Sequence, residues 1–333
     1  MDNEKTDSNL TAVEEIINDK IDLGGTENTS NPELIANKDV HILSSGNALR
    51  IEELYGITAA EDTRIIILVG PTKCGKTTIE TTIYQLFHNN IVGDFFFAGS
   101  KTIQAYESRL FNTRIESKRD IPMTPRTSQG EREIFLHLRV YNGKTAKYMN
   151  LFFADLSGEE FENNRADTNS MKKNLDFIKC ADYVIAVFDG ELISKKKTRN
   201  STYSSIAMTL KTMSEAGLFS SKTTLQTIIS KYDIVSKRIN ALDDEPEDIA
   251  AFINDIKTRL EQLICQPILN YNIAAMPPNG NADCRMGYGL QEIMESWCIR
   301  KQTRNFSSYV VTVPRLNSEF NKLQRKLLGD ADE

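Results

Sequence analysis

The sequence predicts a three-layer α/β sandwich, with a mostly parallel sheet that carries one antiparallel hairpin strand. Three observations predict it. Short apolar runs rich in β-branched residues (Ile65–Val69, Tyr183–Phe188, Leu225–Ile229) read as strands buried on both faces. Segments of helical periodicity separate them, so the crossovers are helices and the strands run parallel. The exception is Glu133–Tyr141, the turn signal Asn142-Gly143 and the return strand Tyr148–Ala154, which together read as a hairpin.

Composition narrows the classes. The 333 residues carry a formal net charge of −6, but unevenly. Residues 1–62 hold 14 acidic and 4 basic side chains, which leaves 32 acidic and 36 basic for the rest. A mildly basic body suits a phosphate ligand and is too weak a signal for nucleic acid. No apolar run has the length of a membrane span. The polar, acidic start MDNEKTDSNL does not read as a secretory signal. The five cysteines are dispersed without a C-x-x-C pair, which argues for reduced thiols and against a disulfide scaffold or zinc site. A cytoplasmic protein is expected.

In chain order, residues 1–47 read as a largely disordered acidic leader. Within it Leu10, Val13, Ile16, Ile17, Ile21 and Leu23 have the spacing of one short amphipathic helix. Residues 48–58 form a short element before the first strand. That strand ends in Gly70, and Gly70, Gly75, Lys76 and Thr77 fit G-x-x-x-x-G-K-S/T. Ile79, Ile83 and Leu86 follow at helical spacing, so the pattern stands between strand and helix, as a phosphate-binding loop requires.

The chemistry explains these residue types. Gly70, Pro71, Thr72, Lys73, Cys74, Gly75, Lys76, Thr77 and Thr78 would wrap a polyphosphate with backbone N–H groups. The helix starting near Lys76 would aim its positive dipole end at the phosphates. Lys76 would reach the β- and γ-phosphates, and the Thr77 hydroxyl would ligate Mg²⁺. The bland alternative is an ordinary glycine turn. Cys74 lies where a thiol can be acidified, although a small filler side chain explains it as well.

After this helix a long segment, 88–130, precedes the hairpin. Within it FFFAGS (Phe95–Ser100) is apolar enough to be buried, and 101–117 reads as a helix with Ile103, Tyr106, Leu110 and Phe111 on one side. The stretch IPMTPRTSQGER reads as an irregular loop. Long loops of this kind are often functional lids. Helical character covers 159–179, 201–215 and 245–264, the last with Pro246 in its first turn. The Lys195-Lys196-Lys197 run falls in a loop as a solvated face. Tyr271–Ala275 reads as the last strand, and Leu290, Ile293, Met294, Trp297 and Cys298 mark a closing amphipathic helix. Beyond Arg304 come a strand or linker at 309–313 and a basic helix at 317–328.

Two further strings close strands. Asp155-Leu156-Ser157-Gly158 follows the hairpin. Its carboxylate can hold Mg²⁺ through water, and the Gly158 N–H can meet a γ-phosphate; otherwise Asp155 would only cap the next helix. Ser230-Lys231-Tyr232-Asp233 closes the strand at 225–229 in the order of N/T-K-x-D base-reading motifs. Asp233 can accept the N1–H and N2–H₂ of guanine, a donor pair that adenine lacks. The Lys231 stem would cover the base, and Ala274 or Ala275 would offer a backbone N–H to guanine O6.

With these strings in view, residues 62–303 resemble the P-loop GTPases of the TRAFAC class, and more narrowly the double-GTPases of bacterial conflict systems. The latter have similar stretches, here Phe97–Thr102 and Thr124–Ser128. The resemblance implies a GTPase domain at 48–303 with a long switch I insert at 88–130, and a C-terminal extension at 304–333. It implies GTP or GDP with Mg²⁺, hydrolysis, and a protein partner, an effector or second GTPase, met through the switch loops and the insert. It implies a role in a multi-protein bacterial system such as antiphage defence. It also asks for a switch threonine on Mg²⁺ and the γ-phosphate, for which Thr127 is the first candidate and Thr124 the second. Arg126 is a candidate arginine finger in cis. Glu159 occupies the place of the water-orienting glutamine, where a carboxylate would slow hydrolysis. A nucleotide-gated scaffold with little turnover, or a small-molecule kinase using the same loop, are the competing classes.

Overall fold

A computed structural model describes residues 45–89, 92–111, 135–240, 246–278 and 284–298. They form one seven-stranded sheet. Its strands are β1 (Thr63–Val69), β2 (Phe95–Gly99), β3 (Phe135–Asn142), β4 (Lys147–Ala154), β5 (Tyr183–Asp189), β6 (Thr224–Ser230) and β7 (Ile268–Asn272). The order across the sheet is β2-β3-β4-β1-β5-β6-β7. From β4 to β7 every pairing is parallel, while β3 is antiparallel to both β2 and β4. This is the predicted three-layer sandwich with its one antiparallel strand.

Alternation along the strands distributes the core. Ile67, Val69, Phe152, Ala154, Val184, Ala186 and Phe188 face one side. There they meet α1 (Ile51–Thr58), α4 (Gly158–Asn164), α5 (Thr168–Leu175), α7 (Lys196–Glu215) and α9 (Pro246–Ile264). Ile66, Leu68, Leu151, Phe153, Ile185 and Val187 face the other. There they meet α2 (Lys76–Asn89), α3 (Ile103–Phe111) and α10 (Leu290–Cys298). Central strands covered on both faces are apolar at every position, as β5 is from Tyr183 to Phe188. Two short helices complete the layer, α6 (Gly190–Ile193) and α8 (Tyr232–Asn240), both missed in the sequence. No helix among the described residues is long and apolar enough to cross a membrane.

Several expectations need correction. FFFAGS is the edge strand β2, and only Phe95 of the three phenylalanines is buried; Phe96 and Phe97 are 43 % and 42 % exposed. An edge strand lacks a neighbour to cover its outer positions. On α3, Tyr106 and Leu110 are buried, whereas Ile103 and Phe111 are exposed. Asn142-Gly143 does open the hairpin turn, as expected. Asn142 pairs with Lys147, and the four residues between them close the hairpin. The Asn142 side-chain oxygen accepts the amides of Lys144 and Thr145, and Ala146 turns with φ 52°.

The lysine run is not in a loop. Lys195 is the N-cap of α7, and Lys196 and Lys197 open it. Glu191 and Asp248 supply the negative charge that three lysines at a positive helix end require. The last strand lies three residues earlier than expected, at Ile268–Asn272. Ile273, Ala274 and Ala275 are buried by packing beyond the strand, with Ala274 bridging to Tyr288. The amphipathic helix at 10–23 and the elements beyond 304 lie outside the described residues.

The closing helix is tied to the sheet by polar contacts in the core. Trp297 is fully buried and donates its indole N–H to Gln226 Oε1 at 2.9 Å, while Gln226 Nε2 donates to Ser296 Oγ at 3.0 Å. Trp297→Phe removes volume and orphans that acceptor. It should lower unfolding free energy by about 2–4 kcal/mol, read as a lower urea midpoint at unchanged slope.

Candidate functional site

The loop after β1 is held in one shape by close approaches. Lys73 has φ 68° and Gly75 φ 98°, so the chain reverses within three residues. A Cβ on Gly70 would meet the Val187 carbonyl at 2.7 Å and Cys74 Sγ at 2.8 Å. Cys74 therefore points inward as a filler, and burial pushes its thiol up, not down. Burial thus favours the filler reading over an acidified thiol. Helix α2 makes its first main-chain bond from Ile79 N to Gly75 O, so the preceding amides are unspent within the helix. Lys76 is 8 % exposed and donates from Nζ to the carbonyls of Gly70 at 2.8 Å and Pro71 at 3.2 Å. The ammonium lies across the loop it belongs to.

One side of the loop meets the end of β4. The Thr77 hydroxyl donates to Asp155 Oδ1 at 3.3 Å. A Cβ on Gly158 would lie 2.3 Å from Thr72 N and 2.6 Å from Pro71 C, so the backbones touch there and only glycine fits. Asp155 does not cap the next helix. Ser157 does, accepting Glu159 N at 3.3 Å, while Glu160 reaches back to Ser157 N at 3.2 Å. Glu159 is a half-buried residue in the first turn of α4.

The other side meets the end of β6. Ser230 Oγ donates to the carbonyl of Cys74 at 2.7 Å and sits near that of Phe188 at 3.1 Å. Lys231 follows in the left-handed region, φ 51°, and its Nζ donates to Asp189 Oδ2 at 2.7 Å. Asp233 is 5 % exposed in the first turn of α8, beside Tyr232, whose amide is bonded to Ile273 O. The Ala274 amide is committed to Tyr288 O at 3.1 Å, which leaves Ala275 as the better candidate of the two alanines.

The three predicted strings therefore converge. Thr77 and Asp155 offer a hydroxyl and a carboxylate oxygen side by side, the sparse hard-oxygen set that suits an Mg²⁺ shared with phosphates. Among the described residues no group of three His, Cys, Asp or Glu could hold a metal by itself. Thr124, Arg126 and Thr127 lie outside the described residues.

Three participants were missed in the sequence. Asp189 pairs with Lys231. Arg109 on α3 pairs with Asp155. Glu80, three residues after Thr77, is buried nearby. Its signal was a charge flanked by the buried Ile79 and Ile83. Burial first, then the Asp155 charge, holds the Glu80 carboxyl well above the ordinary 4.5, with Arg109 and Lys76 pulling the other way. The Phe97–Thr102 stretch is structural. The hydroxyls of Ser100 and Thr102 donate to the His137 carbonyl at 2.6 and 3.3 Å, and the Lys101 amide to His137 Nδ1 at 2.9 Å. That clasp fixes the start of α3.

A sequence model of the family described as Double-GTPase 2 matches residues 64–298. No curated protein matches the chain. Among solved structures, the bacterial selenocysteine-specific elongation factor EF-Sec is similar at TM-score 0.34 and 15 % identity, over 71 % of this chain and 29 % of that one. This chain thus spans under a third of the elongation factor. The FeoB G-domain from Methanococcus jannaschii is similar at TM-score 0.32 and 14 % identity, over 71 % of this chain and 97 % of that domain.

Two outcomes follow from the geometry. Gly158→Ala must push Thr72 aside, so phosphate-ligand affinity should fall by about tenfold or more while the fold persists, measured by titration and circular dichroism. Glu80 has a raised folded pKa, so its contribution to stability is complete below about 4.5 and is lost as pH rises toward the folded value. The melting temperature of the wild type relative to Glu80→Gln should therefore decline from acid toward neutral pH; a constant difference contradicts the assignment.

Proposed function

The chain belongs to the Double-GTPase 2 family, and from that premise we propose that it is a guanine-nucleotide switch that binds GTP with Mg²⁺ and hydrolyses it slowly. The convergence of the ends of β4 and β6 on one loop supports this reading: Thr77 with Asp155, Gly158 against Thr72, and Ser230 on Cys74.

The roles divide among these residues. Gly70 to Thr78 present amides to the phosphates, and Lys76 brings its ammonium. Thr77 and Asp155 would hold Mg²⁺, with Thr127 as the proposed switch ligand. A bound Mg²⁺ would neutralise charge on the transferring phosphoryl group. Gly158 places its amide beside the loop, Lys231 and Asp233 choose guanine, and Ala275 serves O6. Arg126 is the proposed cis arginine. Glu159 follows Gly158 directly, and a carboxylate there repels the γ-phosphate region, which is why we assign slow turnover without a partner.

The proposed setting is the cytoplasm and a multi-protein bacterial system, with an effector or second GTPase docking on the switch loops and the insert 88–130. We retain the leader 1–47 and the extension 304–333 as separate segments of that design. Glu159 favours one second reading, a nucleotide-gated scaffold with negligible hydrolysis. Single-turnover phosphate release, with and without a partner, separates the two.

The direct test is binding of GTP, GDP and ATP with Mg²⁺. Asp233→Asn should weaken GTP by about 10²–10⁴-fold, two charge-assisted hydrogen bonds at about 1.5–3 kcal/mol each, with xanthosine triphosphate partly rescued. Equal affinity for ATP and GTP would remove the guanine assignment.

A further inference from the structure

Among the described residues between α2 and β3, Arg109 reaches the site. Arg109, in the last turn of α3, approaches Asp155 Oδ2 from both Nε and Nη2 at 2.8 Å. The other oxygen, Oδ1, accepts the Thr77 hydroxyl. One oxygen thus faces the loop threonine and the other faces the insert. The pair is largely dry, with side chains 18 % and 3 % exposed, so it is weakly screened. Arg109 Nη1 also donates to Ala105 O at 3.0 Å, which ties the guanidinium to its own helix.

Helix α3 is itself fixed. Tyr106 stacks on Tyr84 of α2 with centroids 4.5 Å apart, and Tyr84 Oη donates to Glu107 Oε1 at 3.0 Å. The Ser100–Thr102 clasp anchors its start. Around the ion pair lie two further buried polar groups, Glu80 Oε2 and the Tyr106 hydroxyl, neither with a hydrogen-bond partner among the described residues. Asp155 is a buried carboxylate, and its charge calls for a full cation at position 109 rather than a neutral donor.

Resting on the guanine-nucleotide reading above, we propose that Arg109 is a positioning residue: it sets the orientation of the metal-facing carboxylate Asp155, and so couples the placement of α3 to how firmly the site holds nucleotide with Mg²⁺. A partner that docks on α3 then acts on the site through the Arg109 guanidinium. Groups one shell out from a metal typically change affinity 10–100-fold when removed.

The test is release of N-methylanthraniloyl-GDP from the full chain across a series of free Mg²⁺ concentrations, for wild type, Arg109→Ala and Arg109→Lys. The Mg²⁺ concentration that half-suppresses release should rise about tenfold or more in Arg109→Ala. Arg109→Lys should fall between, since lysine keeps the charge but not the fork. Release in excess chelator should match wild type. An unshifted or lowered Mg²⁺ midpoint overturns the proposal, as does faster release at every Mg²⁺ concentration including none, which marks a merely structural role. If Arg109→Ala does not fold, Arg109→Lys decides: a raised midpoint supports the coupling and a wild-type midpoint overturns it. Wild type that fails to bind the probe overturns the guanine-nucleotide reading as well, whereas tight binding with an unshifted midpoint overturns this inference only.

Discussion

The fixed course of the backbone from Gly70 to Gly75 is the constraint on which the site depends. Three strand ends press on it. Val187 of β5 lies where a Gly70 side chain would stand, Gly158 after β4 abuts Thr72, and the Ser230 hydroxyl at the end of β6 holds the Cys74 carbonyl. Each contact is short, and two exclude a Cβ. The parallel order β4-β1-β5-β6 is what brings these strand ends to one edge. Ligand sites of open α/β sheets form at that carboxyl edge.

Electrostatics follow from that geometry. The loop concentrates main-chain donors at the start of α2, and Lys76 adds a buried cation across the Gly70 and Pro71 carbonyls. Asp155 places one negative charge opposite, with Arg109 behind it. Lys231 is drawn to Asp189 at the neighbouring strand tip. Charges that are costly to bury singly are thus met in pairs. Glu80 Oε2 has no hydrogen-bond partner among the described residues, and burial answers its cost by favouring the protonated form.

The sequence makes legible what is local. Gly70 to Thr77 can be read because phosphate binding is set by consecutive residues between a strand and a helix. Asp155-Gly158 and Ser230-Asp233 can be read because they sit where apolar runs end. Contacts across the fold are different. Arg109 meets Asp155 over 46 positions, and its clue was only its spacing from the buried Ala105 and Tyr106. Burial in β2 was overestimated because composition does not reveal that a strand is at the sheet's edge. The last strand was displaced toward Ile273–Ala275 because those residues are apolar for reasons of packing beyond it. Thr127 and Arg126 were chosen by resemblance, and the described residues do not include them.

The central claim is that the lysine loop, the Asp155 corner and the Ser230–Asp233 corner serve one ligand. Hydrogen exchange with and without Mg²⁺·GDP tests it most directly. The account predicts protection of amides in 70–78, 156–158 and 230–234 with a single half-saturation concentration. Protection confined to 70–78, or corners that saturate separately, would contradict it.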